Sequence, residues 1–145
     1  MPIPNAITRT LDLPHPQPKV WAALTTLDGI TGWFGSHADG ELAPGHDVHM
    51  RWQQYDDAEG TLAIKVVDPM SVFAFSWSIN GAPEGDPRRT YVEFALEPTA
   101  TGTRLTVTES GFAQLPDEWL EASYEGNSKG WDGELGDLVA YLDAA

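Results

Sequence analysis

The chain has 145 residues, 8 basic against 22 acidic side chains, a formal net charge of −14, 41% hydrophobic residues, six Trp and no Cys. That charge repels phosphate backbones and anionic headgroups, so neither nucleic acid nor a membrane surface is expected as a partner. Without cysteine there are no disulfides, thiolate nucleophiles or Cys-based zinc sites, and the length suits one domain over residues 1–145 with a sizeable core.

In chain order, Ala6–Leu13 reads as a strand with Ile7, Leu11 and Leu13 on one face and Arg9 interrupting the apolar alternation. Pro14 to Pro18 ends it. Val20, Trp21, Ala23, Leu24 and Leu27 then recur at helical spacing, and a second helical turn is predicted over Asp28–Phe34, capped by Asp28, ended by Gly35 and bringing Trp33 and Phe34 to the core. A glycine-rich link follows. From Gly45 the period becomes two, predicting an antiparallel meander of strands near His46–Gln54, Ala58–Val67, Val72–Ile79, Thr90–Glu97 and Thr103–Glu109. Its turns fall at Asp56-Asp57, Asp68-Pro69, the Asn80–Arg88 loop and Pro98–Gly102. One face of the meander is apolar, from Val48, Met50 and Trp52 through Phe73, Phe75, Trp77 and Phe94 to Leu105 and Val107. The other carries His49, Arg51, Glu93 and Arg104. A sheet wet on one side needs one covering layer.

Leu115 to the C-terminus supplies that layer as one long helix, with Pro116 at its first position and Asp117 and Glu118 at the positive end of its dipole. At ~100° per residue, Leu120, Tyr124, Leu135, Leu138 and Leu142 fall in a narrow sector around Trp131. The stripe has a polar gap at Asn127 and Ser128. Gly126, Gly130, Gly133 and Gly136 lie away from the stripe, and each weakens the helix by about 0.8–1 kcal/mol relative to alanine. The helix is therefore expected to depend on the surface beneath it.

This order of strand, two short helices, meander and long helix resembles the α+β helix-grip fold of the START and birch-pollen-allergen (SRPBCC) superfamily. Several segments resemble its bacterial homologues of the activator of the heat-shock-protein-90 ATPase: Leu13-Pro14 to Val20-Trp21, Trp33-Phe34, Val67-Asp68-Pro69, Phe73-x-Phe75-x-Trp77, Leu105-x-Val107-x-Glu109-x-Gly111-Phe112, and Gly130-Trp131 to Leu142. Relatives often carry histidine where this chain has Glu109. The resemblance implies a curved sheet and a long helix enclosing a cavity for an apolar or aromatic small molecule.

No catalytic constellation is expected. His37, His46 and His49 with Asp39 and Asp47 form the one His/Asp cluster, but alternation sends His46 and His49 to opposite faces, so no shared metal is predicted. Asp56, Asp57 and Glu59 fit a solvated turn. No serine stands in a G-x-S-x-G context, Ser110 before Gly111 included. Glu109 is the candidate for acid or base chemistry, because alternation places it with Leu105 and Val107 beneath the helix. An inward Glu109 without a cationic partner further predicts that Glu109→Gln leaves stability unchanged or improved. Asn127, Ser128, Tyr91 and Tyr124 are the polar groups available beside it. The expected ligand-binding set is Met50, Trp52, Phe73, Phe75, Trp77, Phe94, Glu109, Tyr124, Asn127, Ser128 and Trp131. The expected function is binding of an apolar or aromatic small molecule, without a cofactor, by a cytoplasmic monomer or homodimer. A cyclase- or hydrolase-like enzyme and a heat-shock co-chaperone are the alternatives.

Overall fold

The computed structural model describes residues 4–79 and 85–144. Its strands are β1 (Ala6–Leu13), β2 (His37–Gly40), β3 (Asp47–Trp52), β4 (Ala58–Asp68), β5 (Val72–Ser78), β6 (Arg89–Thr99) and β7 (Gly102–Ser110). Helices α1 (Gln17–Thr25) and α2 (Leu27–Trp33) follow β1, and α3 (Asp117–Ala144) ends the chain. The strands form one antiparallel sheet in the order β1-β7-β6-β5-β4-β3-β2, so the first strand closes onto the last. This is the helix-grip arrangement anticipated from the sequence. The inner residues of β6 and β7 alternate as expected, with Thr90, Val92, Phe94 and Leu96 facing Thr103, Leu105, Val107 and Glu109 in one buried layer.

Four local features depart from the sequence reading. His37–Gly40, which falls in the expected glycine-rich link, pairs with β3 as an edge strand; four residues of mixed polarity carry no alternation to announce it. Helix α2 is capped by Thr26 rather than Asp28. The Thr26 hydroxyl accepts from the Gly29 amide at 2.9 Å, because Thr26 alone separates the two helices in extended backbone. Leu27 therefore opens α2 and is 37% exposed instead of completing the buried stripe of α1. The long helix begins at Asp117, with the Pro116 carbonyl accepting its first hydrogen bonds. The Asn80–Arg88 loop lies partly outside the described residues.

The cover over the inner face is shared rather than left to α3. Trp33 and Phe34, at the end of α2, pack at 6.3 Å on Phe94 and 6.4 Å on Phe75, while Trp33 Nε1 donates to the Ala23 carbonyl at 2.8 Å. Close approach of α2 to α3 requires Gly32, where a Cβ would meet the Tyr141 ring at 2.2 Å. Along α3, Trp131, Leu135, Leu138 and Leu142 are buried, and Leu120 and Tyr124 are half-buried toward its start. Arg9 explains its own break in the β1 pattern. It reaches α3 and donates to Asp132 Oδ1 at 2.8 Å and Ser128 Oγ at 2.7 Å.

A Cβ built at Gly133 or Gly136 meets nothing within 4 Å. Each Gly→Ala change there should stabilise the protein by about 0.4–1 kcal/mol, since both residues are helical and face open space. Urea midpoints test this. A lowered midpoint would mean that this face of α3 is packed.

Candidate functional site

The polar gap in α3 meets a carboxylate. Glu109, on the inner face of β7, is fully buried, and its neighbours at that end of the sheet are Thr90 on β6 and Trp77 on β5. Its Oε1 accepts from Trp131 Nε1 at 2.9 Å and Asn127 Nδ2 at 3.0 Å. Its Oε2 accepts from Trp77 Nε1 at 2.8 Å, Thr90 Oγ1 at 2.5 Å and the same Asn127 Nδ2 at 3.0 Å. Every one of these donors is neutral. Two indoles, an amide and a hydroxyl together fill the acceptor capacity of the carboxylate, so Glu109 holds the fold together and has no free lone pair to offer a substrate.

Beside this knot, α3 and the sheet part into a cleft of about 1120 Å³. One wall is aromatic, built from Phe34, Trp52, Trp77 and Trp131. Phe34 stacks on Trp77 and on Trp131 at 5.8 Å each, and Trp52 meets Trp77 edge-on at 6.1 Å. Asn127, Lys129 and Glu134 come from the helix, while Glu59, Asp86 and Arg89 stand on the sheet side. Of the expected ligand-binding set, Trp52, Trp77, Asn127 and Trp131 line this cleft, with Glu109 directly behind the last three.

The remainder of the set lies away from this cleft. Met50, Phe73, Phe75 and Phe94 are core residues at 0–2% exposure, because Trp33 and Phe34 fill the space in which a deeper cavity was expected. Ser128 turns to Arg9, since adjacent helical residues diverge by ~100° and only Asn127 faces the cleft. Tyr124 packs edge-on against Phe112 at 5.3 Å and donates to the Ala6 carbonyl at 3.3 Å. Tyr91 lies exposed on the outer face. His46 and His49 pair separately with Glu41 and Glu59.

The residue missed by sequence reasoning is Glu134. It lies seven positions after Asn127, within ~20° of it around the helix, but ~60° from Trp131 and so at the border of the apolar stripe. It is 5% exposed. Gln54 Nε2, in the turn after β3, donates to Oε1 at 3.3 Å, and the Tyr55 phenol lies alongside. Oε2 is buried with no hydrogen-bond partner among the described residues. Desolvation pushes its pKa up from 4.5 to about 7, helped by the charge of Asp137 and opposed by Gln54 and Tyr55. A helical position three after a buried tryptophan and seven after the polar gap was the available signal.

The model of the family described as Activator of Hsp90 ATPase homolog 1-like protein matches residues 14–143. The chain belongs to that family. Protein MLL2253 from Mesorhizobium loti is similar to it at 25% identity and TM-score 0.82, over 97% of this chain and 98% of that one. DynU16, from the dynemicin biosynthetic locus, matches at 23% identity and TM-score 0.79; 97% of this chain corresponds to 48% of that protein. The Aha1 dimer from Colwellia psychrerythraea matches at 20% and 0.73, over 94% of this chain and 95% of its own. No curated protein matches the sequence. Among the described residues of this family member, no helix is long and apolar enough to cross a membrane.

The donor-only surroundings of Glu109 reverse the expectation for Glu109→Gln. An amide there points an N–H₂ at other donors, and the substitution should cost about 2–4 kcal/mol. A denaturation midpoint within about 1 kcal/mol of the parent would show that the cage is not formed.

For Glu134 the folded-state pKa, about 7, lies above the ordinary 4.5, so ionisation opposes folding. Its cost is absent below about pH 4.5, grows as pH rises toward 7 and is level above it. Glu134→Gln should match the parent in acid and exceed it at pH 8 by roughly 1–2 kcal/mol, discounted for water entering the cleft. Parallel pH profiles for the two proteins would place Glu134 in solvent.

Proposed function

We propose that this protein is a binding domain for an apolar or aromatic small molecule, lodged in the cleft between α3 and the β3–β5 end of the sheet. The carrying observation is the cleft itself, which sets an aromatic wall of Phe34, Trp52, Trp77 and Trp131 opposite polar and charged side chains able to orient a ligand. Membership of the family and the helix-grip fold support a binding role. The biosynthetic-locus description belongs to DynU16 and is consistent with such a role here. Binding is favoured over catalysis because the acid/base candidate from sequence, Glu109, has its acceptor capacity filled by the protein. The working unit in this reading is a single domain over residues 1–145, cytoplasmic, acting without a cofactor as a monomer or, like the Aha1 protein from Colwellia, as a dimer.

Tryptophan-fluorescence titration against a panel of aromatic and polyketide-like compounds tests the reading. At least one compound should quench saturably. Trp52→Ala should weaken its binding about tenfold, as expected for loss of a stacking partner. The fold should survive, because Trp52 is only half-buried. Failure of the whole panel to quench would overturn the proposal.

A further inference from the structure

We propose that the cleft is selective for organic cations: an aromatic or apolar body carrying a protonated amine, with the ammonium paired to Glu134 and the body against the tryptophan wall. The inference rests on the cleft being a binding site and names the chemistry of its ligand.

The first observation is the unused oxygen. Buried acceptors in folded proteins have donors, and those that lack one call for explanation. Glu134 Oε2 is sealed from solvent, borders the cleft and accepts nothing from the described residues. Gln54, at 3.3 Å from Oε1, and the Tyr55 phenol are the neutral groups that donate to this carboxylate among the described residues. None of the ion pairs among the described residues includes Glu134, although Arg89 and Lys129 border the same cleft. A bound ammonium supplies both the missing donor and the missing counter-charge.

The second observation is independent of the first. Trp77 and Trp131 have their indole N–H groups pinned on Glu109, so neither donates into the cleft, and the half-buried Trp52 and Trp77 supply the ring surface a ligand can touch. Indole faces carry negative potential and attract ammonium groups. The carboxylate of Glu109 lies behind them, uncompensated by any cation among its donors. The chain as a whole, at −14, draws cations toward its surface. An anionic ligand would find Arg89 and Lys129 at the border but would also meet Glu134, Glu59 and Asp86, with Asp137 one turn further along α3.

Isothermal titration at pH 8 with three matched probes tests this: 2-naphthylmethylamine, 2-naphthylmethanol and 2-naphthoate. The amine should bind about tenfold or more tightly than the alcohol, and the carboxylate most weakly. Glu134→Gln should bring the amine down to the level of the alcohol and leave alcohol binding unchanged, which also reports that the variant is folded. Equal affinity for amine and alcohol in the parent, retention of the amine preference in Glu134→Gln, or tightest binding of the carboxylate would each overturn the inference while leaving the cleft as a binding site. Binding of none of the three would remove the binding site and the inference together.

Discussion

A single buried carboxylate determines how the helix sits on the sheet. Glu109 is taken out of water without a cation, which is tolerable only when neutral donors converge on both oxygens. Those donors come from three elements besides its own strand: Trp77 from β5, Thr90 from β6, Asn127 and Trp131 from α3. The strands are already in register through the backbone ladder, so the constraint falls on α3. Its rotation must present Asn127 and Trp131 together, one turn apart, to the end of β7. This is how a helix weakened by Gly126, Gly130, Gly133 and Gly136 is held through its middle turns.

The same rotation produces the cleft. With Asn127 and Trp131 turned to Glu109, Ser128 swings toward β1 and meets Arg9, while Glu134 swings to the opposite border beside Gln54 and Tyr55. Pinning the two indoles by their nitrogens leaves their rings as the wall of the opening. Trp33 and Phe34 from α2 plug the space farther in, so the accessible volume is at the end of the sheet rather than under the whole helix.

Two acidic side chains therefore have contrasting states within one site. Glu109 has no exposure and no unfilled acceptor, whereas Glu134 has an oxygen without a donor among the described residues and a pKa pushed up to about 7 chiefly by desolvation. In the proposed binding role, contact with a ligand falls to the second kind, because a group already satisfied by its protein has nothing left to exchange. The residue best placed to act on a ligand is thus not the one that strand alternation singled out.

Element type and order were legible in the sequence because they are local. Alternation in Val72–Ser78 or Gly102–Ser110 and the Trp131 to Leu142 spacing each follow from a backbone period and the need to bury one face. Inward placement of Glu109 follows from the same count of two from Val107. The edge strand His37–Gly40, the Thr26 cap and the sharing of the cover between α2 and α3 were not legible, since each depends on a neighbour distant in the chain or on which of two nearby polar residues, Thr26 or Asp28, reaches an amide first. The site divides in the same way. Periodicity named Trp52, Trp77, Asn127 and Trp131 as inward, but it could not distinguish a core phenylalanine from a cleft tryptophan, nor show that Glu109 would be surrounded by donors and Glu134 left short of one. Those outcomes depend on distances between side chains from different strands and helices, and only the packed tertiary structure sets them.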